Sequence, residues 1–220
     1  MRATRPERGP STRLGTGLYL ITPDAREPAR LLERVAPLLP FAACLQLRCK
    51  SMQADALRET ASLLLADCRN AGVPFIVNDD ARLAAGIGAD GVHLGEHDGE
   101  IAEARALLGD DAIIGASCYD DLQRAHDSAA AGANYIAFGA FFPSPTKPNA
   151  RRASPDLLRD SATLGLPRVA IGGITPDNAR LLVEAGADLL AAVSGVFDTP
   201  DPVAAARAYR KAFSDMDQSG

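Results

Sequence analysis

The chain has 220 residues, of which 47% are hydrophobic and 23% are charged, and its formal net charge is −5. This length suits one α/β barrel, which typically needs roughly 250 residues, and the apolar fraction is sufficient for one large core. The chain has no basic stripe and no apolar run near the roughly 20 residues of a membrane span, so we expect neither a nucleic-acid partner nor a membrane partner.

The first sixteen residues contain four arginines among prolines and hydroxyl residues and have no apolar segment. A stretch with little to bury cannot offset the entropy lost on folding. We therefore predict a disordered extension at residues 1–16, a catalytic barrel domain at 17–213 and a flexible tail at 214–220. The four cysteines show neither a CxxC pair nor zinc-ligand spacing, which favours a reducing, cytoplasmic location.

From Gly17 onward, short apolar runs alternate with longer helical patterns, as in α/β folds with parallel strands. Eight such runs predict strands, at residues 18–22, 44–47, 75–77, 91–94, 112–116, 135–138, 168–171 and 189–193. Helices are predicted between them, among others at residues 55–70, 102–108, 122–131 and 176–185.

A glycine recurs between a helical pattern and the next strand, at Gly72, Gly88, Gly132 and Gly186. Glycine at that point closes a helix in the left-handed conformation that other residues resist. Repetition of one αβ unit predicts either a barrel or a doubly wound sheet. Polar and glycine residues follow nearly every strand, and only a barrel brings all those points to one rim. We therefore predict a single (βα)8 TIM barrel.

The second strand ends in Gln46, Arg48 and Lys50, which alternate and so share one face of an extended chain. Two cations at a strand end could neutralise a diphosphate. A solvated charge cluster is the alternative, and it is disfavoured because Gln46 and Arg48 continue a buried-type strand.

Carboxylates follow the third and fourth strands, with Asp79 and Asp80 after one and Asp98 after the other. Neighbouring strands place their loops side by side, and two carboxylates with substrate phosphate oxygens are a usual Mg²⁺ site. The alternative is that one of the aspartates only caps the helix that begins near Ala81. We assign the cap to Asp80 and leave Asp79 and Asp98 for Mg²⁺. His93 and His97 are interpreted as structural or rim residues.

The loop after the sixth strand contains two phenylalanines, three prolines, Ser144, Thr146 and Lys147. The hydroxyls and the cation suggest a lid that contacts phosphate, since Phe141 and Phe142 would otherwise be exposed without a reason.

The seventh strand runs into Gly172-Gly173, and the eighth ends at Val193-Ser194-Gly195. Glycine allows backbone N–H groups to approach an anion, and barrels often bind phosphate with these two loops. The glycines could instead only make tight turns, but Ser194 at the neighbouring strand end favours phosphate.

Taken together and in their order along the chain, these sequence segments resemble the thiamine-phosphate synthase family. The matching segments span nearly all of residues 18–197 and are 45–50, 77–80, 89–95, 115–117, 138–147 and 170–175. The resemblance implies a TIM barrel that uses Mg²⁺ to join a hydroxymethylpyrimidine diphosphate to a thiazole phosphate, with release of pyrophosphate. It also implies phosphorylated small molecules as partners and a homodimer. Diphosphate departure before attack by the thiazole nitrogen would require no protein nucleophile.

The resemblance implies a role for each matching residue. The pyrimidine diphosphate would be bound by Gln46, Arg48, Lys50 and Asn78, with Ser117 and Lys147 on the diphosphate side. Mg²⁺ would be held by Asp79 and Asp98, and the catalytic cations would be Lys147, Arg48 and Lys50. The thiazole phosphate would be bound by Ser144, Thr146, Gly172, Val193 and Ser194.

The sequence departs from the family pattern at three positions. Cys49 replaces an expected Glu, Glu96 replaces Gln, and Ser144 replaces Thr. Two other functions stay open: a thiazole tautomerase of the same fold, and a catalytically silent protein that binds thiamine phosphate. The intact set of Asp79, Asp98 and Lys147 counts against both.

Overall fold

The computed structural model describes residues 14–143 and 151–214. Eight parallel strands form a closed barrel in sequence order, with β1 paired to both β2 and β8, which confirms the predicted TIM barrel. The strands are β1 Gly17–Ile21, β2 Ala42–Leu47, β3 Phe75–Asn78, β4 Gly91–Leu94, β5 Ile113–Tyr119, β6 Tyr135–Gly139, β7 Arg168–Ile171 and β8 Leu189–Ala192.

Helices follow the strands and form the outer layer of the barrel. They are α1 Pro28–Val35, α2 Ala54–Ala71, α3 Ala81–Ile87, α4 Ile101–Leu108, α5 Leu122–Ala130, α6 Asp156–Asp160, α7 Pro176–Glu184, α8 Ser194–Phe197 and α9 Pro202–Ser214, with 3-10 turns at Ala36–Phe41 and Ser161–Leu164. Within the described part of the chain, no helix is long and apolar enough to cross a membrane.

All eight predicted strands are present, and most boundaries agree within one or two residues. The largest difference is in β5, which was expected to end at Ala116 but continues to Tyr119. Its register against β6 shifts between Ser117 and Tyr119. The irregular pairing extends the strand through polar residues that the sequence pattern placed in a loop.

Two of the recurrent glycines end helices as predicted. Gly72 and Gly88 follow α2 and α3 with φ angles of 68° and 72°, and their backbone N–H groups donate to carbonyls of the last helical turn. A side chain is strained in this conformation, so glycine is the residue that turns each helix back toward the next strand.

Alternation along the strands divides the core into two apolar clusters. The larger one lies between the strands and the helices and includes Phe75, Phe138 and Leu64. The smaller one includes Tyr19, Ile76, Ile113, Tyr135 and Leu189, which alternate with residues of the larger cluster along their strands and so point into the barrel.

Leu14 joins the smaller cluster and is only 8% exposed. It precedes β1, so it lies toward the end of the barrel opposite the strand carboxyl ends. Because Leu14 is packed, the expectation that residues through Thr16 form an extension without packing is wrong at this position.

Replacing Leu14 with alanine should destabilise the fold. Loss of a buried leucine costs about 2 kcal/mol, which in a chain of this size lowers the melting temperature by roughly 4–8 °C. Leu63, which is 46% exposed on α2, provides the matched control, because Leu63→Ala removes the same atoms from solvent-exposed surface. Equal melting temperatures for the two variants would show that Leu14 contributes no packing.

Candidate active site

The carboxyl ends of the eight strands form one rim, and the predicted site residues that the structure describes lie at or shortly after these strand ends. Gln46 is buried at the end of β2, and Asn78 ends β3 directly beside His93 of β4. Arg48, Asp79 and Ser117 are partly buried, which places them at the boundary between the packed barrel and solvent.

The backbone that carries the two predicted cations is fixed by residues after β1. The Thr22 hydroxyl accepts a hydrogen bond from the Arg48 N–H at 2.9 Å and donates to the Arg48 carbonyl at 3.1 Å. The Asp24 carboxylate accepts from the N–H groups of Lys50 and Ser51, at 2.9 and 3.0 Å. These contacts hold the loop in one conformation, so the positions of Arg48 and Lys50 are set before any ligand binds.

Asp24 accepts these hydrogen bonds as an ionised carboxylate. The Ser51 hydroxyl donates to it at 2.7 Å, and this bond, with those from the Lys50 and Ser51 N–H groups, lowers the pKa of Asp24 to about 2. Cys49, the residue that departs from the family pattern, directs its thiol at the Ala25 carbonyl, 3.0 Å away. Asp24 was not among the predicted site residues, although its place in the loop that follows β1 was an available signal.

The predicted helix cap is Asp80 and not Asp79, as expected. Asp80 is the N-cap of α3, and its carboxylate accepts a hydrogen bond from the Leu83 N–H at 2.8 Å. Asp79 has a left-handed backbone with φ of 65°, which aspartate tolerates better than most residues. Its N–H donates to the His93 carbonyl at 2.8 Å. Because Asp80 provides the cap, the side chain of Asp79 is left for another role.

The carboxyl groups of Asp79 and Asp98 lie within hydrogen-bonding distance of each other. Asp98 also accepts a hydrogen bond from the Gly95 N–H at 3.0 Å, and a side chain at Gly95 would collide with the Asp98 carboxylate. Burial and the neighbouring Asp98 together raise the pKa of Asp79 to about 6, while Lys50 and Arg48 act in the opposite direction. The structure thus brings both predicted metal ligands and both predicted cations into one electrostatic cluster.

This carboxylate pair fits a divalent cation. Two acidic groups forced together repel each other, and a metal ion between them would remove that repulsion. Among the described residues, no group of three or more His, Cys, Asp or Glu side chains could hold a metal ion. A site with two protein carboxylates, completed by substrate oxygens and water, is the usual arrangement for Mg²⁺.

Glu96, a second departure from the family pattern, lies at the edge of this cluster. Its carboxylate is 4.0 Å from the guanidinium of Arg124, which also donates to the Ser117 carbonyl at 2.7 Å. Arg124 therefore offsets part of the negative charge that Glu96 adds near the proposed metal ligands. The pair is half-exposed, so the offset is modest.

Ser144, Thr146 and Lys147 lie outside the described residues. The two ends of their loop are attached to the barrel, since the Ala140 N–H donates to the Arg151 carbonyl and the Phe142 N–H donates to the Gly172 carbonyl. Phe141 is buried and Phe142 packs against the larger core cluster. The two phenylalanines therefore give no support to a lid, and a lid formed by Ser144, Thr146 and Lys147 stays a prediction.

Gly172 has a packing role that the sequence did not reveal. Its φ is 99°, and a side chain there would collide with Ala140 of the neighbouring loop. Two loops thus pack backbone to backbone at the end of β7. Thr175 and Asn178 form a capping box at the start of α7, with the Thr175 N–H donating to Asn178 at 2.9 Å, so this loop is rigid.

A buried tyrosine of α9 supports both predicted phosphate loops. The Tyr209 hydroxyl donates to the Ile174 carbonyl at 2.6 Å, and Gly195 lies so close to both that a side chain would collide with them. Val193 is the N-cap of α8 and Ser194 is its first residue, so the N–H groups of Ser194 and Gly195 have no carbonyl partner within the helix. The sequence offered no signal for Tyr209, which lies on the last helix.

The interior of the barrel contains polar groups directly beneath the rim. Tyr19 and Tyr135, which were not predicted as site residues, join their hydroxyls at 2.6 Å. Gln46 bonds to Tyr19, while His93 contacts Tyr135 and Ser117, each at 2.9 Å. Two predicted binding residues, Gln46 and Ser117, are thus the ends of one continuous chain of hydrogen bonds.

Comparison with known proteins identifies close relatives. Residues 18–196 match the family model described as thiamine monophosphate synthase. The chain is 59% identical over 205 residues to the thiamine-phosphate synthase of Xanthomonas campestris pv. campestris (strain 8004), covering 93% of this chain and 99% of the relative. It is 52% identical to the thiamine-phosphate synthase of Xylella fastidiosa (strain 9a5c), covering 90% of this chain and 85% of the relative.

Solved structures agree with this result. The thiamine phosphate pyrophosphorylase from Pyrococcus furiosus superimposes with a TM-score of 0.81 at 32% sequence identity, covering 93% of this chain and 98% of that one.

Proposed function

Because this chain belongs to the thiamine monophosphate synthase family, we propose that the rim described above is where it carries out the reaction for which its relatives are named. The activity is that of a thiamine-phosphate synthase, a transferase. It joins 4-amino-2-methyl-5-(diphosphomethyl)pyrimidine to 4-methyl-5-(2-phosphoethyl)thiazole, giving thiamine phosphate and pyrophosphate. The thiazole substrate could also be its carboxylated form.

The observation that supports this assignment of the site is the clustering of opposite charges on neighbouring strand ends. The carboxyl groups of Asp79 and Asp98 are direct neighbours, and the charges of Lys50 and Arg48 act on Asp79. A diphosphate carries more negative charge than one divalent ion offsets, so two cations beside a metal site suit this substrate. A thiazole tautomerase would have no use for such a cluster.

Asp79 and Asp98 are the residues that would hold Mg²⁺, and a bound Mg²⁺ would offset the negative charge that accumulates on the leaving diphosphate. Arg48 and Lys50 would bind the same group and stabilise that charge from fixed backbone positions. Asn78, next to Asp79, would contact the pyrimidine diphosphate. Lys147 is proposed to act with these cations.

The bond to the diphosphate breaks first, and its electron pair leaves with pyrophosphate. The pyrimidine's amino group delocalises the cation that forms on the exocyclic carbon, and the thiazole nitrogen then bonds to that carbon. The protein therefore positions both partners, stabilises the leaving group and excludes water. Gln46 on β2 and Ser117 on β5 would hold the pyrimidine substrate from strands that are three positions apart around the barrel.

The thiazole phosphate is proposed to bind at the ends of β7 and β8. Gly172 fixes the first loop, and Val193 and Ser194 present the first-turn N–H groups of the second. Ser144 and Thr146 would complete this site. It lies across the barrel mouth from Asp79, because β3 and β7 are four strands apart around the closed barrel.

The Tyr209→Phe variant should bind the thiazole phosphate less well, with little change in binding of the pyrimidine diphosphate. Without its hydroxyl the Ile174 carbonyl loses a buried partner, at a cost of about 1–3 kcal/mol, and the two phosphate loops become less rigid. We expect the KM for the thiazole phosphate to rise about 3- to 10-fold, while the KM for the pyrimidine diphosphate stays within twofold. Steady-state kinetics in each substrate tests this, and equal changes in both values would contradict the assignment.

The proposed function is tested by pyrophosphate release from purified protein. We expect release only when both substrates and Mg²⁺ are present, with thiamine phosphate formed in equal amount. Conversion of the thiazole phosphate alone would indicate a tautomerase. Binding of thiamine phosphate without any pyrophosphate release would indicate a silent binding protein.

Two further proposals concern the protein's surroundings. All four cysteines are free, which supports a reducing, cytoplasmic compartment. The homodimer implied by the family resemblance stays a prediction, and light scattering at micromolar protein concentration would test it.

A further inference from the structure

The hydrogen-bond chain inside the barrel is continuous from β2 to β5. The Gln46 amide nitrogen lies 2.9 Å from the Tyr19 hydroxyl, and this hydroxyl is 2.6 Å from that of Tyr135. Tyr135 is 2.9 Å from His93 Nδ1, and His93 Nε2 is 2.9 Å from the Ser117 hydroxyl. Every link is within normal hydrogen-bonding distance.

The surrounding barrel fixes the side chains of this chain in place. Tyr19 and Tyr135 are essentially inaccessible to solvent, and Gln46 is only 3% exposed. A side chain at Gly115 would collide with the ring of Tyr135, so this glycine leaves the space that the ring occupies. The His93 ring stacks on Tyr135 at 5.5 Å between centroids, and Tyr19 meets the same ring edge-on at 5.8 Å.

The middle members of the hydrogen-bond chain are buried among neutral partners. Burial raises the pKa values of Tyr19 and Tyr135, so both keep their phenolic protons, and the buried His93 ring has a hydroxyl group at each of its two nitrogens. A neutral histidine carries one ring proton, so one nitrogen donates and the other accepts. A neutral tyrosine also has a single proton to donate.

These rules give the hydrogen-bond chain a single order of donors and acceptors from one end to the other. The Gln46 amide nitrogen can only donate, so Tyr19 accepts from it and directs its own proton to Tyr135. Tyr135 then donates to His93 Nδ1, which places the ring proton on Nε2, and Nε2 donates to the Ser117 hydroxyl. If the side-chain amide of Gln46 were turned so that its oxygen faced Tyr19, every hydrogen bond would run in the opposite direction. The ring proton of His93 would then be on Nδ1.

We propose that Tyr19, Tyr135 and His93 are positioning residues that transmit one donor direction from Gln46 to Ser117. In this direction the Gln46 side-chain oxygen is left as an acceptor, and the Ser117 hydroxyl is left with a proton to donate. The proposal rests on the proposed function for the identity of the ligand. An aminopyrimidine diphosphate offers an N–H donor to Gln46 and anionic oxygens to Ser117, whereas the reverse direction would present a serine lone pair to an anion.

The position of the His93 proton tests the direction without any substrate. Two-bond proton–nitrogen correlation spectra of the full-length protein labelled with ¹⁵N-histidine distinguish Nε2–H from Nδ1–H. The protein has three histidines, so the signals of His93 are assigned by comparison with the His97→Gln and His126→Gln variants. We expect the Nε2–H tautomer at pH 7, and a predominant Nδ1–H tautomer would overturn the proposal.

The Tyr19→Phe variant tests whether the donor direction set at Gln46 is transmitted along the hydrogen bonds to His93. Tyr19 bonds to Gln46 and Tyr135 but has no hydrogen bond to His93, so a purely local control of the His93 ring would leave the tautomer unchanged. We expect the variant to show a mixture of both tautomers with at least about a tenth as Nδ1–H, which corresponds to losing most of one hydrogen bond's preference. Tyr209→Phe removes a buried hydroxyl outside the chain and should leave Nε2–H intact. An unchanged tautomer in Tyr19→Phe would overturn the proposal.

Kinetics separate this proposal from the proposed function. Tyr19→Phe should lower kcat/KM for the pyrimidine diphosphate about 10-fold and leave the KM for the thiazole phosphate within twofold, because only one substrate meets Gln46 and Ser117. If the wild-type protein released no pyrophosphate, the proposed function would fail while the tautomer result still stood. If it turned over normally with the Nδ1–H tautomer, only the positioning chain would fail.

Discussion

Asp79→Asn and Asp98→Asn should each lower turnover by at least about 10²-fold at low Mg²⁺, with partial recovery at high Mg²⁺. The two carboxyl groups face each other, so removing either one should lose most of the site's attraction for the ion. Once the ion is lost, removing the second ligand costs little more. The double variant should therefore resemble the worse single variant, as is usual for residues that act as a unit.

Asp80→Asn is the control for this series. Asp80 caps α3 and lies one residue from Asp79, but asparagine caps a helix about as well as aspartate. This variant should keep near-normal turnover and the same Mg²⁺ dependence. Strictly multiplicative losses in the double variant, or losses that do not respond to Mg²⁺, would contradict a shared ion.

Arg48→Met should lower kcat by about 10²–10³-fold, the range observed when one preorganised stabiliser of developing charge is removed. Thr22 fixes the backbone of Arg48, and the Arg48 charge already acts on Asp79 beside the proposed diphosphate site. Methionine keeps the length of the apolar stem without the charge. Initial rates at saturating concentrations of both substrates measure the effect.

The matched control is Arg159→Met, which removes an exposed arginine whose partner is Asp156 on the outer face of the barrel. It should leave kcat within twofold, because an exposed ion pair contributes little. If Arg48→Met changed only the KM for the pyrimidine diphosphate, Arg48 would assist binding without acting on the leaving group.

Local patterns were sufficient to predict the barrel and one side of the site. Parallel strands bring their carboxyl ends to one rim, so strand order alone places Asp79 beside Asp98 and near Lys50. The helix cap at Asp80 was also predictable, because the N-cap position precedes the first helical residue. These inferences needed only spacing and strand adjacency.

Features that depend on contacts across the barrel could not be predicted in this way. Tyr19 and Tyr135 are 116 residues apart and read as ordinary strand residues, yet their hydroxyls meet inside the barrel. Leu14 was assigned to an extension because its neighbours are polar, although it packs with the interior cluster. The phenylalanines that suggested a lid are packed against the core. In each case the deciding partner comes from a distant part of the chain.

The most direct test is a crystal structure of the protein grown with Mg²⁺ and pyrophosphate. The account predicts one metal ion bound by a carboxylate oxygen of Asp79 and one of Asp98, with pyrophosphate oxygens on the same ion and the side chains of Arg48 and Lys50 in contact with the pyrophosphate. Pyrophosphate bound only at the Gly172 and Ser194 loops, or a metal ion that contacts neither aspartate, would contradict it.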